Sequence, residues 1–102
     1  MFENFKNLTL KSLLKNTVIR IPKDLQTWNT EIKRTRSGKK KVEYYGMAEY
    51  YKGKLFAYLY VLEELGEHRF CEKFLEVHKI TRNNDRFVKT TPWQQKSLSD
   101  HL

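Results

Sequence analysis

Apolar residues recur along this chain at a helical period in most places and as a β-branched run in one. In residues 3–15, Phe5, Leu8, Leu10, Leu13 and Leu14 fall at mixed spacings that predict a short amphipathic helix ending at Asn16. Residues 17–21, Thr-Val-Ile-Arg-Ile, are β-branched apart from Arg20 and predict a strand. Pro22 stops that strand and suits the first position of a helix. Leu25, Trp28, Glu31 and Ile32 then carry helical spacing through 23–36, and Ser37-Gly38 terminates it.

Val42, Tyr45, Ala48 and Tyr51 are spaced by three, with Tyr44 and Met47 widening the stripe. Residues 41–52 therefore predict a helix that opens behind Lys39 to Lys41 and breaks or kinks at Gly53. Leu55, Tyr58, Leu59, Leu62 and Leu65 form the next stripe, over 54–65, closed by Gly66. Residues 67–80, with Phe70, Cys71, Phe74, Leu75, Val77 and His78, are again helical, although their β-formers leave a strand open. From Thr81 the chain turns polar, with Asn83-Asn84-Asp85 as a turn signal. The predicted organisation is one domain over 1–88 and a tail over 89–102 anchored at Pro92-Trp93. The fold class is mainly α with one short β-strand; a small α+β domain or a wholly helical one are the alternatives. A lone strand is not stable by itself, so its expected partner is the same strand of a second copy, in a homodimer.

Composition narrows the class. At 102 residues the chain holds one domain, and 14% aromatic content argues against global disorder. Four Gly and two Pro leave little room for a turn-rich sandwich or barrel. One cysteine, Cys71, excludes an intrachain disulfide, which points to an intracellular setting, the host cell if the source is viral. The N-terminal stretch has Lys every few residues and no apolar signal core, and the longest apolar run, Leu55 to Leu62, is too short for a bilayer. No membrane partner is expected.

The net charge of +8 is unevenly placed: residues 17–41 carry eight basic and two acidic groups. Within them Lys33, Arg34, Arg36, Lys39, Lys40 and Lys41 form a block with no acidic residue between its ends. Such a block neutralises phosphates and releases counterions, or binds an acidic protein. Its lysines oppose the dipole of the helix they open, which is easier to understand if they serve a ligand.

The order strand, Pro, helix, polar turn, helix resembles the ribbon-helix-helix family of DNA-binding proteins. The residues that carry the resemblance are Val18-Ile19-Arg20-Ile21-Pro22, Leu25, Glu31-Ile32, Arg36-Ser37-Gly38 and Val42 through Tyr51, within residues 16–52, leaving 54–80 as two further helices. Lysines stand where that family has a Ser or Thr cap, and Gly46 where it has a small Ala. The resemblance implies a dimeric antiparallel ribbon in the major groove. Strand alternation with Ile19 and Ile21 inward turns Asn16, Val18 and Arg20 outward, a trio suited to adenine, a thymine methyl and guanine.

Catalytic signatures are missing: there is no phosphate-cradling glycine loop and no nucleophile elbow. Glu63, Glu64, Glu67, Glu72 and Glu76 read as a solvated face, and His68, Cys71 and His78 lack the paired spacing of a zinc site. The six tyrosines serve packing first and base stacking second. The sequence thus points to a non-enzymatic, cofactor-free DNA-binding transcriptional regulator of plasmid or viral type, with RNA as the alternative nucleic acid. The rival is a protein-interaction module whose groove is lined by Tyr51, Tyr58, Leu62, Phe70 and Phe74.

Overall fold

The computed structural model describes residues 2–84, 86–89, 91 and 93. The turn residue Asp85, the Pro92 half of the expected anchor and the tail beyond Trp93 lie outside the described residues. The chain runs α1 (Phe2–Arg34), α2 (Gly38–Glu64), α3 (His68–Val77), β1 (Ile80–Asn83) and β2 (Arg86–Lys89). It is mainly helical with one short two-stranded antiparallel sheet.

α1 and α2 form an antiparallel hairpin around the turn 35–37, and the molecule is elongated, 54 × 29 × 25 Å. α1 is 33 residues long and runs straight through the segment predicted as a strand. Leu14, Val18, Ile21, Leu25 and Ile32 are all buried, at helical spacings of four, three, four and seven. That stripe crosses the β-branched run, so packing against α2 decides its conformation over local β-preference. The expected alternation is accordingly corrected: Val18 is fully buried and Ile19 is 40% exposed. Residues 17–21 thus offer no strand edge for the pairing expected of them across a dimer axis. Pro22 sits buried inside α1 rather than at a helix start, leaving the Val18 carbonyl without its usual donor.

The turn is built by its own side chains. Thr35 N–H closes α1 onto the Glu31 carbonyl at 3.0 Å, and Ser37 N–H donates to Thr35 Oγ1 at 3.3 Å. Ser37 is the N-cap of α2, its Oγ accepting from Lys40 N–H at 3.3 Å. α2 then continues to Glu64 without the break expected at Gly53. Leu55, Leu59 and Leu62 bury one face of it, and Ala48, Tyr51 and Tyr58 extend the packing. Gly66 ends it as the pattern predicts. Its φ of 87° is left-handed, Gly66 N–H reaches the Glu63 carbonyl and Glu67 N–H reaches the Leu62 carbonyl at 2.9 Å.

α3 lays Cys71, Phe74 and Leu75 against the hairpin. Lys79, at φ 55°, turns the chain out of α3 into β1. β1 and β2 pair with Ile80 opposite Lys89 and Arg82 opposite Phe87, joined through Asn84 at φ 58°. The sequence pattern marks the turn at Asn83-Asn84 but neither of the strands that flank it. Phe87 packs on Phe56 and Tyr60, with ring centroids at 5.6 and 4.5 Å. Arg82 lies over the Phe87 ring and bonds Glu63 of α2 and Glu72 of α3, the latter at 2.9 Å. Trp93 packs on the core, 5.8 Å from His78 and under Lys89 Nζ.

Candidate functional site

The basic block becomes one surface. Lys33 and Arg34 occupy the last turn of α1, Arg36 sits in the turn, and Lys39, Lys40 and Lys41 occupy the first turn of α2. All six are exposed at the tip of the hairpin, and Thr35 between them is half-buried. Among the described residues Glu31 is the one carboxylate paired with any of these cations, 3.7 Å from Arg34.

The two halves of the cluster differ electrostatically. Lys33 and Arg34 sit where a helix C-terminus favours cations, whereas α2 has no acidic residue in its first turn and three lysines instead. The tip is held closed just behind the cations. Trp28 of α1 meets Tyr44 of α2 at 5.4 Å between ring centroids, and Ile32 is buried beside the turn in sequence. The surface therefore offers long ammonium and guanidinium side chains on a fixed frame, a form suited to polyanions.

The other site candidates separate from this cluster. Asn16 and Arg20 lie on α1 away from the tip, and Arg20 is about 20 Å along the helix from Lys33 at 1.5 Å per residue. Val18 is removed from the candidates, because full burial leaves it no surface to offer a base. The predicted trio presupposed a period of two, and the helix replaces it with one of 3.6. Lys23 and Lys54 line a cleft with Arg20 and were not among the residues singled out by the sequence. A helical reading of 16–34 would have found Lys23 on the side of Arg20; Lys54 is brought there only by the hairpin.

The aromatic groove of the rival reading is not present as described. Leu62 and Phe74 are core residues, and Tyr51, Tyr58 and Phe70 pack against that core. Cys71 is buried too, its Sγ donating to the Leu59 carbonyl at 3.7 Å. Burial, with Glu67 and Glu72 nearby, pushes its thiol up to about 11. Among the expected acidic face, Glu67 pairs with Lys15 at 2.8 Å, while Glu63 and Glu72 hold Arg82. Those carboxylates brace the fold. Among the described residues no helix is long and apolar enough to cross a membrane.

Fold and site together define a long helical hairpin with a cationic tip, braced on its other end by α3 and a β-hairpin. Comparison with known proteins finds no family model, no curated protein and no solved structure that matches the chain.

Proposed function

We propose that this protein is a non-enzymatic nucleic-acid-binding protein that engages the phosphate backbone through the tip of the α1–α2 hairpin. The observation that carries this reading is the convergence of Lys33, Arg34, Arg36, Lys39, Lys40 and Lys41 on one turn and the two helix ends beside it. Three of those cations work against the helix they begin, and a bound phosphate reverses that cost. Residues 17–21 are helical, so this reading does not draw on a strand there to read bases and takes the contact to be with the backbone and tolerant of sequence. The ligand is DNA or RNA, and the chain acts without a cofactor.

The experiment is binding to random-sequence duplex DNA over a range of salt. Changing Lys39, Lys40 and Lys41 together to Gln is expected to weaken binding. It should also flatten log affinity against log salt by about 0.9 for each phosphate that the variant no longer neutralises. An unchanged slope removes the tip from the interface. Failure of the wild-type protein to bind any nucleic acid, with retention of an acidic protein on the same tip, would establish the protein-interaction reading in its place.

A further inference from the structure

A cleft of about 430 Å³ opens between α1 and α2 well behind the tip, with Arg20, Lys23 and Asp24 on one wall and Tyr51 and Lys54 on the other. It sets three cations against one carboxylate. Among the described residues Asp24 forms no ion pair with them, and the side chains of Arg20 and Lys23 have no hydrogen-bond or ion-pair partner. Two cations nearer the other end of the fold are committed, Lys15 to Glu67 and Arg82 to Glu63 and Glu72, and Lys54 of the cleft lies over the Tyr58 ring at 5.7 Å. A planar guanidinium flanked by two ammonium groups in a partly enclosed site matches the oxygens of a phosphate.

The cleft is also joined to the tip. Asn16, Arg20, Lys23, Thr27, Thr30 and Arg34 recur every three or four residues along α1. None of these positions is acidic, and two carboxylates border the row, Asp24 in the cleft and Glu31 paired with Arg34 at 3.7 Å. From Arg20 to Arg34 this face covers about 21 Å, the axial rise of about six nucleotides in one strand of a duplex.

We propose that the cleft at Arg20, Lys23 and Lys54 holds a second backbone phosphate of the nucleic acid engaged by the tip, so that the interface runs along the outer face of α1. This rests on the reading of the tip as a nucleic-acid-binding surface, and it gives Arg20 and Asn16 a role that does not depend on a strand.

The test compares the wild-type protein, an Arg20→Gln/Lys54→Gln variant and the tip variant on a labelled random-sequence duplex about two helical turns long. Fluorescence anisotropy across salt gives the slopes, and circular dichroism confirms that each variant keeps its helices. The cleft variant is expected to lower the slope by about one to two units, in addition to the effect of the tip variant. An unchanged slope in the cleft variant, while the tip variant still flattens it, overturns the inference and leaves the tip reading standing. If neither variant changes the slope, both fall. Inorganic pyrophosphate, followed by amide chemical shifts around Arg20 and Lys54, separates a free phosphate from a nucleic acid. Saturation by pyrophosphate with no effect of the cleft variant on duplex binding would reassign the cleft to a small phosphate ligand.

Discussion

Trp28 and Tyr44 face each other across the α1–α2 hairpin, with ring centroids 5.4 Å apart and planes tilted by 39°. Among the described residues they are the aromatic pair nearest the basic tip, and they set the separation of the two helix ends that carry the cations. Trp28→Ala is expected to lower stability by about 2 kcal/mol, less than for a fully buried Trp because this ring is only partly covered. Urea denaturation checks it. A loss below the error of the extrapolation would mean that the tip is held by its backbone turn alone.

The β-branched run gives a sharper test of the helix. Val18 is fully buried and Ile19 is 40% exposed, the reverse of what strand alternation requires. Val18→Asp is expected to abolish folding, since it buries a carboxylate without a partner. Ile19→Asp should leave a folded protein within about 1 kcal/mol of the wild type. Thermal melts of the two variants decide the matter, and the opposite ranking would restore the strand.

Gly53 lies within α2, and a Cβ placed on it meets nothing within 4 Å. Gly53→Ala should therefore raise stability by about 0.5–1 kcal/mol, by restricting the unfolded chain and favouring the helix. A destabilised variant would show that α2 bends at this position, as the sequence pattern expects.

Acid should release one brace between α1 and the start of α3. The hydrogen bond from Lys15, aided by the charges of Lys15 and Lys11 and opposed by burial, holds the Glu67 carboxyl below its ordinary value of 4.5. A depressed folded-state pKa contributes stability that is present above 4.5 and lost as pH falls through the folded value. Thermal midpoints between neutral pH and about pH 3 should thus fall more steeply for the wild type than for Glu67→Gln. Parallel profiles would show that the Lys15–Glu67 pair contributes nothing to stability, as many surface pairs do not.

Helices were legible wherever the apolar stripe was long: Leu55, Leu59 and Leu62 in α2 and Cys71 and Phe74 in α3 are buried as their spacing requires. Ends set by backbone conformation were legible too, at Gly66 and at the Asn83-Asn84 turn. The errors cluster where a local preference competes with long-range packing. Residues 17–21 prefer a strand in isolation, and Pro22 and Gly53 look like breaks. Each is overridden because α1 and α2 bury a continuous seam against one another. β1 and β2 were hidden for a different reason. Each is four residues long with only Ile80 and Phe87 buried, too short to print an alternation. In the site, the block 33–41 was visible because its residues are adjacent in sequence. The meeting of Arg20 with Lys54 was not, because it exists only once the hairpin closes.

If the three lysines that open α2 bind an anion as proposed, folding and ligation are thermodynamically linked. A helix start burdened with like charge and supported by the side-chain cap of Ser37 is expected to fray more readily than a start with acidic residues in its first turn. Whatever anion settles there neutralises the repulsion and slows exchange of the first amides of α2, so heparin or polyphosphate should raise the melting temperature as effectively as a true target. Thermal-shift screening of this protein will accordingly rank ligands by charge density, and its biological ligand has to be sought by competition at physiological salt.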